Sequence, residues 1–296
     1  MKHDRFSKYH PLTNFLFFVG AIGFGVLIQH PAYILAGLIT GSIYYLLLTD
    51  KKGMKLLAAM VPLFLLLTFI NPLFNTRGDT ELWKVFGRPY TLEALFYGGA
   101  VAGIFVNMLI WFGCYNKVLT SDKFTSLFGS LIPSISLLLI MVLRMVPNLM
   151  RKATQIAGAR KSVGKGLADS ATMKEKILGG GAILGALTGW ALEGGIITGD
   201  SMRARGYGSA KRTSFMIYRF TGSDLVVLGA LLLLAATTIG FSLAGSTAAE
   251  YTPTMVIAPV TAKTLPGLIA YSLYLLIPTI LRGKEALQWH ISISKI

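Results

Sequence analysis

Apolar residues gather in eight long runs, at 12–29, 32–48, 55–70, 91–112, 127–146, 179–197, 225–245 and 264–281, and most of the charge lies between them. About 20 apolar residues make a helix that crosses a bilayer, so each run is a candidate span. The intervening charge decides which of them cross. Short basic loops stay cytoplasmic, and Lys2, Arg5 and Lys8 place the N-terminus inside. Two spans return the chain to the cytoplasm at Lys51, Lys52 and Lys55. The third leaves 71–90 outside, with Asn71, Pro72 and Gly78, and the fourth brings the chain back.

If 127–146 also crossed, Arg151, Lys152, Arg160, Lys161, Lys165, Lys174 and Lys176 would lie outside, the arrangement the charge rule least allows. The pattern therefore predicts that 127–146 and 179–197 are apolar helices that do not cross. Pro133, Arg144 and Pro147 interrupt the first, and Glu193 and several glycines interrupt the second. Runs 225–245 and 264–281 form a hairpin around the weakly charged 246–263 loop, and Arg282, Lys284 and Lys295 lie inside. The expectation is an all-α, multi-pass membrane protein with six transmembrane helices. Residues 1–112 hold four spans, 113–222 form a cytoplasmic and interfacial helical domain, and 223–296 hold the closing hairpin and tail. The first run, to about Ile28, has no small-residue cleavage site, so it reads as an uncleaved span rather than a signal peptide.

Composition agrees with this partition. Hydrophobic residues make up 53% of the 296 and charged residues 14%, against about 25% charged in a soluble domain. The net charge is +15, but such apolar runs do not suit a soluble nucleic-acid binder. Residues 113–222 carry 15 basic and 5 acidic side chains, so +10 of the +15 lies in about a third of the chain. Scattered lysines suffice for topology and for anionic lipid, whereas a 110-residue basic segment with its own helices reads as a docking platform. Cys114 is the single cysteine, and His3, His10, His30 and His290 have no helical metal-ligand spacing. No metal or other cofactor is expected.

Two arginine motifs stand on the platform. The first is Gly158-Ala159-Arg160-Lys161-Ser162, and the second is Ser201-Met202-Arg203-Ala204-Arg205-Gly206-Tyr207-Gly208. A small residue beside each arginine lets another backbone approach, and a guanidinium grips a carboxylate through two parallel hydrogen bonds. Gly206 directly after Arg205 suits a left-handed helix end, where a cation also favours the helix dipole. The run Ala159 to Gly166 only imitates a phosphate-binding loop. Its first glycine is missing, Gly166 replaces the Mg²⁺-holding Ser or Thr, and no strand precedes it.

Ala159-Arg160 and Ala204-Arg205-Gly206, about 45 residues apart, resemble the two Ala-Arg-Gly signatures of the EcfT and CbiQ family, the transmembrane (T) components of energy-coupling factor ABC transporters. Leu143-Arg144-Met145-Val146-Pro147 looks like the Leu-Arg-Phe-Val-Pro stretch entering that family's first coupling helix. His10-Pro11-Leu12-Thr13-Asn14 resembles its motif ahead of the first span. The likeness covers about residues 10–245, and Lys161 departs from it where glycine is usual. It implies a non-catalytic coupling subunit in the cell membrane, joined to two cytosolic ABC-type ATPases and a small membrane S component that selects a vitamin or metal ion. It also implies that the platform carries two Arg-bearing coupling helices. Arg160 and Arg205 then meet acidic grooves on the ATPases with Ala159, Arg203, Ala204 and Gly206 beside them, and Arg144 and Pro147 support the first helix.

Gly37 and Gly41, Gly99 and Gly103, and the ridge Gly181, Gly185 and Gly189 are small-residue stripes that either pack helices within the chain or meet the S component. A membrane enzyme acting on a lipid or prenyl phosphate is the alternative. It needs clustered acids or a histidine pair, whereas Asp122, Asp169, Glu175, Glu193 and Asp200 are scattered. A self-sufficient secondary transporter would show paired broken helices and a charged midplane residue, and the runs show neither.

Overall fold

The computed structural model describes residues 5–49, 51–76, 78–85, 88–120, 123–124, 126–127, 133–164, 172–209, 220–252 and 255–293. In chain order the helices are α1 (Arg5–Lys8), α2 (Pro11–Leu27), α3 (Pro31–Thr49), α4 (Lys51–Phe74), α5 (Leu92–Val118), α6 (Pro133–Ser162), α7 (Met173–Ala204), α8 (Gly222–Leu243) and α9 (Leu265–Ile293). Two antiparallel hairpins join them, β1 (Glu81–Val85) with β2 (Arg88–Thr91), and β3 (Ala249–Glu250) with β4 (Val256–Ile257). The chain divides into two compact units, 1–124 with 218–296, and 125–217. The charge-based boundaries at 113 and 222 lie wider, because α5 continues to Val118.

The first unit is built around α5, which packs against α2, α3 and α4, while α9 packs against α3 and α8. Its core is aromatic. Phe17 stacks on Tyr274 at 5.4 Å and meets Trp111 edge-on at 5.6 Å. The hydroxyl of Tyr274 donates to the carbonyls of Leu16 and Phe17. Glycine notches let the helices close: a Cβ at Gly37 would lie 2.8 Å from the Asn107 carboxamide, and one at Gly41 3.0 Å from Trp111 Nε1. A Cβ at Gly103 would lie 2.7 Å from Ile34, and one at Gly99 only touches Thr68 at 3.9 Å. Three of these four glycines thus serve close packing inside the chain.

Each end of this unit is tied across long sequence separations. At one end His10 precedes Pro11, which starts α2 with φ already suited to a helix. The His10 amide donates to Asp224 Oδ1 at 2.8 Å, and its Nδ1 accepts from Leu12. Asp224 also accepts from Thr221 in a capping box that opens α8. Lys123 donates to the carbonyls of Ser7 and, at 3.2 Å, Val118 at the end of α5. At the other end, His30 Nε2 meets the Ala258 carbonyl at 2.9 Å and Tyr251 donates to the Gln29 carbonyl at 2.8 Å. Burial raises the pKa of the Tyr251 hydroxyl, so it stays protonated and remains a donor. The starts of α2 and α8 and the finish of α5 therefore share one end of the unit, and the α2–α3 and α8–α9 turns share the other.

Among the described residues six helices are long and apolar enough to cross a membrane: Pro31–Thr49, Gly53–Phe74, Leu92–Val118, Met173–Ala204, Gly222–Leu243 and Leu265–Gly283. This is a multi-pass membrane protein built of helices. Two positions differ from the sequence expectation. Helix α2, over 12–29, has only 17 residues, the lower limit for a span. Helix α7, over 179–197, qualifies by length and composition although the charge pattern predicts that it does not cross.

Candidate functional site

The second unit is a pair of long helices. Proline opens α6 at Pro133, where its missing N–H costs nothing. The sequence suggests that Arg144 and Pro147 interrupt an apolar helix ending at 146; instead α6 runs unbroken through both to Ser162. Its half-buried residues Met141, Met145, Leu149, Ala153, Ile156, Ala157 and Arg160 repeat at three or four positions, while Arg144 and Pro147 are exposed. Proline deletes one intrahelical hydrogen bond, and on an exposed face the freed carbonyl can meet solvent.

Thr172 and Glu175 form a reciprocal capping box that starts α7, with the Thr172 amide donating to Glu175 Oε2 at 2.9 Å. Of α7 only Gly179 is buried. The helices touch where the Lys152 ammonium sits 5.6 Å above the Trp190 ring, within cation–π range. The sequence does not mark this pair, because nothing in the local pattern brings residues 38 positions apart together.

The two arginine motifs differ in their endings. Arg205 is the C-cap of α7, and Gly206 has φ +76°. The Gly206 amide donates to Arg203 at 2.9 Å and the Tyr207 amide to Met202 at 3.0 Å, the two bonds of a Schellman ending. Arg203, Ala204 and Arg205 are exposed. In the first motif Lys161 stands where glycine would end the helix, and α6 accordingly runs on past Arg160. Its left-handed residue is Gly164, φ +76°, whose amide donates to Lys161 at 3.1 Å. Arg160 thus lies half-buried in the last turn, next to exposed Ala159. The motif itself does not mark Gly164 as the helix end, because that requires α6 to continue past Arg160.

Among the described residues no ion pair engages Arg144, Arg160, Arg203 or Arg205, and no group of three His, Cys, Asp or Glu is placed to hold a metal. Glu193 and Asp200 are exposed on α7. Lys165, Gly166, Asp169, Lys211, Arg212 and Arg219, and most of 121–132, lie outside the described residues. Along α7 a Cβ at Gly181, Gly185 or Gly189 would meet nothing within 4 Å, in contrast to the packed glycines of the first unit. The arrangement offers two basic helix ends, each with a guanidinium, and one smooth glycine ridge. No family model matches this chain, and no curated protein matches it.

Proposed function

We propose that this chain is the membrane-embedded coupling (T) component of an ATP-driven, energy-coupling-factor-type uptake transporter for a vitamin or metal ion. It is non-catalytic, and ATP is hydrolysed by two partner ATPases. The observation that carries the reading is the pairing of two long helices, each ending in a left-handed glycine, with Arg160 in the last turn of one and Arg205 at the cap of the other. A cation at a helix C-terminus complements the dipole, and a guanidinium that pairs with no carboxylate among the described residues is suited to one supplied from outside. Two such ends fit two acidic grooves.

Topology supports the same reading. Helix α5 finishes at the end of the first unit where α8 starts, marked by the Lys123–Ser7 and His10–Asp224 bonds. An even number of crossings must lie between two spans so arranged. Helix α6, with Arg144, Arg151 and Lys152 along it, is not among the apolar candidates, so a crossing by α7 would stand alone. The consistent set is α2, α3, α4, α5, α8 and α9, with 125–217 on the side of the N-terminus. The basic charge puts that side in the cytoplasm. The S component then meets the transporter in the bilayer.

The test is co-purification. The tagged chain isolated from its own cells should carry two nucleotide-binding ATPase chains and a small membrane protein. The variant Arg160→Glu with Arg205→Glu should lose the ATPases and uptake. A double variant that keeps both overturns the assignment.

A further inference from the structure

One short segment holds both points where the chain leaves and re-enters the membrane unit. On the leaving side, Lys123 donates to the Ser7 carbonyl while also capping Val118 at the end of α5. On the returning side, the His10 amide donates to Asp224 Oδ1 at 2.8 Å, and the His10 ring stacks on Phe220 at 4.0 Å and 24°. Ser7 and His10 are three peptide steps apart, at most about 11 Å. The segment is itself anchored, since Phe6 is fully buried, meeting Phe17 at 5.2 Å and Phe18 at 6.3 Å. Both bonds involve a charged side chain, Lys123 on one side and the Asp224 carboxylate on the other, and such bonds are about twice as strong as neutral ones.

We infer that Ser7–His10 is a clip joining the two roots of residues 125–217, so that a displacement of one root is transmitted to the other. Lys123, His10 and Asp224 are its positioning residues. The clip stands on geometry alone; its role in coupling ATP hydrolysis to uptake rests on the transporter reading above.

The decisive readout is remote. In the full chain in nanodiscs, Lys123→Ala should speed amide exchange at 220–226, and Asp224→Ala should speed it at 116–120. Each change should be roughly three- to tenfold, the scale of one ordinary lost hydrogen bond, because only part of the loss reaches the remote root. Exchange across Val106–Cys114 checks that the core is intact. If Asp224→Ala disturbs that core, His10→Pro takes its place. With φ −53° and ψ 136°, position 10 accepts proline and the pre-proline restriction, so this variant removes the donated amide. It should loosen both roots, and His10→Ala, which keeps the amide, should loosen them less. Variants that each loosen only their own root overturn the clip. In vesicles with the ATPases and the co-purified small membrane protein, His10→Pro should keep ATP hydrolysis and lose most uptake per ATP. Unchanged uptake per ATP overturns the coupling role while leaving the exchange result in place. A chain without ATPase partners sinks the transporter reading, and the coupling role with it, but not the clip.

Discussion

The Tyr207 amide reaches back to the Met202 carbonyl at 3.0 Å, wrapping the chain around Arg205 through the left-handed backbone of Gly206. A side chain at 206 would have to adopt that conformation at a cost of about 1–2 kcal/mol. Gly206→Ala should therefore fray the last turn of α7, with amides at 203–207 exchanging roughly tenfold faster and the ATPases bound more weakly. Gly164→Ala should do the same at the end of α6. Unchanged exchange in both variants would remove the cap argument.

Gly37 gives way to Asn107, and Gly185 gives way to nothing. Gly37→Ala should lower the stability of the purified chain by about 1–3 kcal/mol, the range for overpacking, and Asn107→Ala in the same chain should restore part of it. Gly185→Ala should hold or raise stability, because alanine is favoured over glycine in a helix by up to about 1 kcal/mol. If the α7 ridge faces the S component, the same variant should weaken co-purification of that protein at unchanged thermal stability. Equal destabilisation by both substitutions would contradict this division.

Cys114 is buried and is the single cysteine, so a Cys114→Ala background permits one-site labelling. Ser162→Cys should react with a membrane-impermeant reagent only from the cytoplasmic side, and Lys263→Cys only from the outside. Both positions are exposed. External labelling at 162 would overturn the six-span arrangement.

Purified alone, the chain should hydrolyse no ATP, since the run from Ala159 to Gly166 lacks the glycine and the hydroxyl that a phosphate loop needs. Turnover without partners, lost on replacing residues of this chain, would return the enzyme reading.

Apolar helices are legible because length and apolarity are nearly all that a bilayer requires. The 91–112 run lies in α5 with only its end extended, but α7 stands among the six long apolar helices in place of the expected α2. In the sequence, Arg144, Pro147 and Glu193 look like breaks in the apolar runs of α6 and α7. They are exposed positions on long two-sided helices, a distinction that only packing reveals. Nothing in the mixed charge of 71–90 marks the β1–β2 pairing, which brings Trp83 onto Tyr90 at 5.2 Å. Gly206 could be read from its neighbour, whereas Gly164 required knowing that α6 continues past Arg160. The bonds from His10 to Asp224 and from His30 to Ala258 span 214 and 228 residues, beyond any local pattern.

The shared end at which α5 finishes and α8 begins makes residues 125–217 a cassette in the engineering sense. Replacing them with a short linker between two roots already gripped by the same few residues would leave the direction of every later crossing unchanged. The first unit could then be made, inserted and studied without the α6–α7 pair, and helix pairs from other chains could be grafted onto it between the same two roots.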